Sequence, residues 1–166
     1  MNMNNNPADL ILTLEAACRF RESLRREGKR LVVTNGCFDI LHRGHAEYLH
    51  EARALGDAMI VLINSDASVR ALKGPERPII DQYNRAYMLA ALKSVDGVVI
   101  FDGARCDREL AALAADCYVK GGDYTREKLD PAERAALENA GTEICFKPFI
   151  PGFSTTTIIA RIRETL

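Results

Sequence analysis

The residues best suited to chemistry lie together in the segment TNGCFDILHRGH, from Thr34 to His45. His42 and His45 are three positions apart, with Gly44 between them. If a helix begins there, this spacing points both imidazoles toward one ligand. Gly44 has no side chain, so an anion can approach the backbone closely. The free N–H groups and the positive end of the helix dipole also attract anions. The pattern predicts a phosphate-binding site.

Three other interpretations of this segment stay open. The histidine pair could be a surface accident or a capped core pair. Asp39, His42 and His45 could hold a metal, although their spacing matches no zinc motif. His50 lies five residues past His45, on a different helix face, and is predicted to be a surface residue. Because the motifs G-x-x-x-x-G-K-[ST] and G-x-G-x-x-G are absent, another element must hold any phosphates.

A second polar group opens the last helical pattern. Ser154 and three threonines follow Pro151-Gly152. Simple capping by Ser154 needs only one hydroxyl, whereas four in a row can also bind phosphate oxygens. We therefore predict phosphate contacts from Ser154, Thr155 and Thr156.

Several charged residues sit beside glycine or proline and could complete the site. Lys73 and Arg77 flank the stiff loop Gly-Pro-Glu, Arg85 follows on the next helix, and Lys120 ends a strand. Such cations stabilise charge on a transferring phosphoryl group, although most lysines and arginines are solvated surface. Asp123, after two glycines, could accept from sugar hydroxyls or be a simple turn residue.

The elements that position these residues alternate between strands and helices. Short apolar runs at 31–33, 58–63, 97–101, 117–119 and 143–146 predict buried strands, with helices at about 45–55, 82–92, 108–115, 131–139 and 155–164. This order predicts an α/β fold, a Rossmann-like doubly wound parallel sheet of about five strands. Ligands bind at the carboxyl ends of such strands, where the polar stretches 34–36, 64–66 and 120–123 lie.

The amino-terminal part forms a predicted helical extension. Residues 1–9 are polar and predicted to be disordered, Thr13 suits a helix cap, and Gly28 suits the helix end. We divide the chain into a tail and helix packed on the domain, residues 1–28, and a main domain, residues 29–166.

Composition excludes several classes of protein. Twenty-two basic residues face twenty-three acidic ones, a balance that argues against general nucleic-acid binding. Five cysteines without a C-x-x-C pair favour neither a disulfide framework nor a zinc knuckle. No signal peptide is recognisable and no apolar stretch approaches a membrane span. The sequence therefore predicts a cytoplasmic protein that binds neither nucleic acid nor membrane.

The motifs TNGCFDILHRGH, LKGPERP, VKGGDY and PGFSTT, in this order, resemble the D-glycero-β-D-manno-heptose 1-phosphate adenylyltransferases of the H-x-G-H cytidylyltransferase-like superfamily. The resemblance runs from about Thr13 to the carboxyl terminus. It implies transfer of AMP from ATP, with Mg²⁺ on the triphosphate, to a heptose 1-phosphate. The products would be pyrophosphate and ADP-heptose, a precursor of the lipopolysaccharide inner core. The chain differs from many such enzymes after Tyr124, and this leaves the sugar contacts open.

The resemblance also implies roles for individual residues. His42 and His45 would bind the triphosphate and stabilise the transition state, with Lys73 as a third catalytic group. The backbone from Gly36 to Phe38 would line the nucleotide site. The full predicted nucleotide-binding set is Asn35, Gly36, Cys37, Phe38, Gly44, Lys120, Gly121, Asp123, Ser154, Thr155 and Thr156. The predicted substrate-binding residues are Asp39, Arg77 and Arg85.

Partners and rival functions follow from the same reasoning. Relatives are often homodimers, and some carry a fused sugar kinase. This chain is similar to the stand-alone form, which implies a separate heptose 7-phosphate kinase. One rival is a cytidylyltransferase acting on glycerol 3-phosphate. Others are a regulatory module that binds nucleotide without turnover and a metal-binding protein.

Overall fold

The computed structural model describes residues 6–148 and 152–165. Its sheet has six parallel strands in the order β1-β4-β3-β2-β5-β6. The strands are β1 (Ile11–Leu12), β2 (Leu31–Gly36), β3 (Ala58–Asn64), β4 (Gly97–Phe101), β5 (Cys117–Gly121) and β6 (Glu143–Lys147). The chain order reverses beside β2, which pairs with β3 on one side and β5 on the other. Such a switch point opens a crevice at the carboxyl ends of the strands.

The described residues form seven helices. They are α1 (Leu14–Arg26), α2 (Arg43–Arg53), α3 (Asp66–Lys73), α4 (Gln82–Ala90), α5 (Asp107–Leu113), α6 (Pro131–Asn139) and α7 (Thr155–Thr165), with short 3₁₀ turns at Pro7–Leu10 and Arg126–Lys128. None of the described helices is both long enough and apolar enough to cross a membrane.

The core forms one cluster on each face of the sheet. Every residue of β3 is buried, and alternate side chains enter opposite clusters: Ile60 and Leu62 join one, Met59 and Val61 the other. Burying one such side chain stabilises the fold by about 1.5–3 kcal/mol. The apolar runs of the sequence are continuous because both faces of the sheet are covered. The predicted doubly wound α/β fold is confirmed.

The amino-terminal segment departs from prediction in two ways. Ile11 and Leu12 add a sixth strand at the edge of β4, which a run of two residues was too short to signal. Pro7–Leu10 form a 3₁₀ turn that overlaps the predicted disordered tail of residues 1–9, of which residues 1–5 lie outside the described residues. Helix α1 begins after Thr13, whose Oγ1 accepts from the Ala16 N–H at 3.2 Å.

Helix α3 was absent from the sequence prediction. Its first turn is capped by Ser65, whose Oγ accepts from the Ser68 N–H at 3.2 Å. Only Ser68 and Val69 of its eight residues are buried. The helix ends at Gly74, where φ is +97°, and it places Lys73 at the mouth of the crevice.

Candidate active site

The crevice has a narrow lobe and a wide lobe. The narrow lobe lies above the end of β2 and comprises two adjoining cavities of about 180 and 210 Å³. Both cavities are lined by His45, Tyr48, Lys73, Arg77 and Thr155. Sequence positions more than a hundred residues apart therefore meet at one place, as the strand order requires.

The two predicted histidines stack on each other in the narrow lobe. Their ring centroids are 3.8 Å apart and their planes differ by 16°. His42 caps α2, and its Nδ1 accepts from the His45 N–H at 3.4 Å. That contact favours a proton on His42 Nε2, which is then a donor. His45 Nδ1 is buried and makes no well-aligned hydrogen bond with a described residue.

Both histidines are neutral at pH 7. Burial lowers the pKa of His42. Burial, followed by repulsion from Lys73 and from His42 when it is protonated, lowers the pKa of His45 to about 4. The pair therefore offers neutral hydrogen-bond donors, and Lys73 supplies the positive charge beside them.

Gly44 has a packing role in the fold. A Cβ built on Gly44 would lie 2.9 Å from Phe153 Cβ and 3.1 Å from the His42 ring. Any side chain would push apart the start of α2 and the segment before α7. Gly44 thus lets the histidines and the hydroxyl cluster approach each other.

The hydroxyls of residues 154–157 cap helix α7 or line the narrow lobe. Ser154 caps α7: its Oγ accepts from the Thr157 N–H at 3.0 Å and lies 2.7 Å from Thr157 Oγ1. Ser154, Thr155 and Thr156 all line the narrow lobe. Ser154 therefore both caps α7 and lines the same lobe as the histidines. Pro151 lies outside the described residues.

Lys73 and Arg77 reach the lobe from α3 and the loop that follows it. Lys73 lines both lobes and forms no ion pair with any described residue. Arg77 lines the narrow lobe while its Nε bonds to Asp39 Oδ2 at 2.6 Å. Of the two cations, Arg77 is thus paired with Asp39, whereas Lys73 has no ion-pair partner among the described residues.

Asp39 lines the narrow lobe but is almost fully buried. It is 3% exposed and accepts from Arg77 Nε, from the Ile79 N–H at 2.8 Å and from the Ile80 N–H at 2.9 Å. Burial alone would raise its pKa, but the hydrogen bonds from Ile80, Ile79 and Arg77 outweigh burial and lower it. Asp39 therefore holds the loop, and its substrate contact stays a prediction.

Arg85 is likewise committed to the protein. It is 1% exposed, and all three guanidinium nitrogens donate. They bond to the carbonyls of Ile80 (2.9 Å), Cys37 (2.6 Å) and Asn64 (2.8 Å), and to Asp66 Oδ1 (2.8 Å). Arg85 ties the loops after β2 and β3 to α4, and it has no nitrogen left without a partner for the predicted substrate contact.

The turn after β2 shapes the wall of the narrow lobe. Phe38 is buried with φ of +46°, and its ring centroid lies 5.1 Å from that of His45. A Cβ on Gly36 would come within 2.9 Å of the Phe38 ring. Cys37 lines both lobes. The predicted nucleotide-site backbone therefore lies beside the histidines.

The wide lobe has a volume of about 960 Å³ and extends over the ends of β3, β4 and β5. Lys120 lines both lobes, and its Nζ donates to Asn35 Oδ1 at 2.8 Å. The Tyr118 hydroxyl donates to the same oxygen at 2.7 Å. Gly121 lines both lobes, whereas Asp123 lies outside the lining and its carbonyl accepts from Lys128 Nζ at 2.9 Å.

Sequence reasoning missed several residues of the crevice. Tyr48 lines the narrow lobe, and its hydroxyl lies 2.7 Å from Thr34 Oγ1 and donates to the Val119 carbonyl at 2.9 Å. Its position three residues after His45, on the same helix face, was the available signal. Cys106 and Glu133 come together below the wide lobe, and no local pattern marks either one.

No group of three or more His, Cys, Asp or Glu side chains that could hold a metal is present among residues 6–148 and 152–165. Asp39, three residues before His42, has both oxygens engaged by Arg77 and backbone N–H groups. The groups that line the narrow lobe are mostly hydrogen-bond donors, which suit an anion.

Comparison with known proteins extends this geometry. Residues 33–161 match the cytidylyltransferase-like family. "Bifunctional protein HldE" of Geotalea uraniireducens is 48% identical over 153 residues, covering 92% of this chain and 31% of that protein. "Bifunctional protein HldE" of Methylococcus capsulatus is 52% identical over 141 residues, covering 85% and 30%. The chain thus spans less than a third of the length of these two relatives.

A solved structure is also similar. The crystal structure of the lipopolysaccharide core biosynthesis protein from Thermoplasma volcanium GSS1 superposes with a TM-score of 0.60 at 29% identity. The match covers 74% of this chain and 98% of that one.

Proposed function

The chain belongs to the cytidylyltransferase-like family, and from that premise we propose that it transfers AMP from ATP to a heptose 1-phosphate, releasing pyrophosphate. The observation that carries the proposal is the stacked pair of neutral imidazoles, His42 and His45, beside Lys73 and the hydroxyls that open α7. This donor set suits a triphosphate. The adjoining wide lobe leaves room for a second substrate.

The reaction is a direct displacement at the α-phosphorus. A phosphate oxygen of the acceptor forms a bond to the α-phosphorus, and the bond from that phosphorus to the oxygen bridging to the β-phosphate breaks. Pyrophosphate leaves with the bonding electrons, so the protein forms no covalent intermediate. Catalysis then consists of positioning and charge stabilisation. His42 and His45 donate to the α-phosphate as its charge grows, and Lys73 neutralises charge on the triphosphate.

Magnesium enters this proposal bound to the triphosphate. Mg²⁺ prefers oxygen ligands and is commonly held through substrate phosphates and one or two carboxylates. The described residues form no carboxylate cage in the crevice. We therefore assign no step to a metal held by the protein, and Mg²⁺ would neutralise charge on the leaving pyrophosphate.

The comparisons support the sugar acceptor. The relatives named "Bifunctional protein HldE" align with most of this chain, and the Thermoplasma protein is described as acting in lipopolysaccharide core biosynthesis. A precursor of that core, ADP-heptose, is the product that the motif resemblance implies. A cytoplasmic homodimer that receives its acceptor from a heptose 7-phosphate kinase completes the proposal.

A pyrophosphate-release screen tests the function. Four nucleoside triphosphates are crossed with D-glycero-β-D-manno-heptose 1-phosphate and glycerol 3-phosphate, with Mg²⁺ present. We expect release with ATP and the heptose 1-phosphate. The His42→Ala variant is the blank, because contaminating activity would survive that change. Preference for CTP with glycerol 3-phosphate would replace the proposal with the cytidylyltransferase function. ATP binding without release for any acceptor would favour a regulatory module.

A further inference from the structure

Glu133 is a buried carboxylate that the proposed reaction leaves without a role. It lies on α6, is 7% exposed, and forms no ion pair with a cation of the described residues. Its side chain lines the wide lobe. Burying a carboxylate without hydrogen-bond donors is costly, so the partners of its two oxygens indicate what it does.

One oxygen is held by the protein. Glu133 Oε1 accepts from the Cys106 N–H at 3.1 Å and from the Cys106 thiol at 3.3 Å. Burial, together with the neighbouring Glu133 charge, raises the pKa of the Cys106 thiol, which therefore keeps its proton and donates. The same sulfur accepts from Asn35 Nδ2 at 3.1 Å. These contacts fix the direction of the carboxylate.

The other oxygen, Oε2, belongs to a residue that lines the wide lobe. Oε2 accepts from no group among the described residues. The neighbouring cation, Lys120, is tethered to Asn35 Oδ1 at 2.8 Å and lies 5.1 Å from the Tyr124 ring centroid. The wide lobe thus offers a fixed acceptor with negative charge. A carboxylate in this position attracts hydroxyl donors and repels a phosphate group.

We propose that Glu133 is a specificity-determining residue whose Oε2 accepts a hydrogen bond from a hydroxyl of the acceptor sugar. The inference rests on the proposed function, which places ATP phosphates in the narrow lobe and the acceptor in the wide one. Repulsion from Glu133 turns the phosphate of the acceptor toward Lys73 and Lys120, which line both lobes. The sugar hydroxyls then face the carboxylate. One buried group thereby selects a polyol and orients it for attack.

The Glu133→Gln variant isolates this contact. Glutamine keeps a carbonyl oxygen for Cys106 but presents a donor to the lobe. We expect KM for the heptose 1-phosphate to rise about 10- to 100-fold, with KM for ATP and the thermal midpoint unchanged. Glu138→Gln, the same change on the exposed side of the same helix, should leave all three values unchanged. An unchanged acceptor KM in Glu133→Gln, or an equal rise in KM for ATP, would overturn the inference.

Deoxy analogues of the acceptor separate recognition from a structural effect. Wild-type protein should lose catalytic efficiency when one particular hydroxyl is removed. Glu133→Gln should show little further loss with that analogue, because the contact is already broken. A purely structural role for Glu133 predicts equal losses in both proteins for every analogue.

Direct binding distinguishes failure of this inference from failure of the proposed function. The heptose 1-phosphate is titrated calorimetrically into wild-type protein and Glu133→Gln, each saturated with a non-hydrolysable ATP analogue. Weaker binding to the variant supports the role of Glu133, even if wild-type protein releases no pyrophosphate in the screen. Equal binding to both proteins, or no binding to wild-type protein, refutes it.

Discussion

The rim of the crevice and the layer of residues beneath it differ in whether their polar groups have partners within the protein. At the rim, Lys73 has no ion-pair partner among the described residues, and the histidine pair keeps neutral donors toward the lobe. Beneath it, Asp39 and Arg85 are almost fully buried, and protein partners engage every atom with which they could bind a ligand. Residues of the two layers lie close together in sequence: Asp39 is near His42, and Arg85 is near Lys73.

The difference shows that hydrogen-bond and ion-pair partners within the protein determine whether a group supports the fold or is available to a ligand. A buried charge must be satisfied by the fold, so its removal is felt as lost stability. A charge or donor without a protein partner is available to a ligand, so its removal is felt as lost activity. Four changes test this division, in order of expected size.

The largest effect is expected from Arg85→Ala. Three backbone carbonyls and Asp66 would lose their donor, and breaking such a buried network costs about 3–5 kcal/mol. Urea unfolding measures this loss. Arg43→Ala removes an exposed pair with Glu47 and a contact with the Phe153 ring, and should cost only about 1 kcal/mol. If Arg85→Ala instead kept full stability and lost only activity, Arg85 would belong to the rim.

The next effect is expected from His42→Ala and His45→Ala. Losing one donor to the transition state should lower kcat about a hundredfold, or about 3 kcal/mol, while the urea midpoint stays near that of wild-type protein. His50→Ala, an exposed histidine of the same helix, serves as the control. Near-normal turnover in both active-site variants would remove the histidine pair from the mechanism.

A smaller effect concerns pH. The pKa of His45 is about 4 in the folded protein but about 6.5 in an unfolded chain. Between these values the unfolded chain binds more protons, so the free energy of unfolding falls as pH drops from about 6.5 to 4. His45→Gln should lose less stability than wild-type protein over this window, as measured by urea unfolding at several pH values. Parallel curves for the two proteins would mean that His45 titrates normally.

The smallest effect is expected from Tyr48→Phe. This change removes the hydroxyl that contacts Thr34 and the Val119 carbonyl, at a cost of about 1 kcal/mol. Tyr48 joins the layers, since its ring lines the lobe while its hydroxyl is buried. A modest drop in thermal midpoint with a normal KM for ATP would place it in the lower layer, whereas a raised KM would place it at the rim.

The prediction of the fold succeeded where burial was continuous and failed where it was sparse. Residues 97–101 and 131–139 have the predicted bounds, because a run buried on both faces and an Asp-Pro helix start are strong local signals. Strand β1 and helix α3 bury few side chains, and so little in their sequence marks them.

The sequence alone determined the class of fold, the H-x-G-H position and the hydroxyls that open α7, because periodicity, glycine and capping chemistry are local properties. Only the tertiary structure decided which charges are free. Arg77 and Arg85 look equivalent in sequence, and their difference in burial and partners arises from how the loops after β2 and β3 pack against α4. The pairing of Cys106 with Glu133 has the same origin, since the contact joins segments 27 residues apart that meet only in the folded chain.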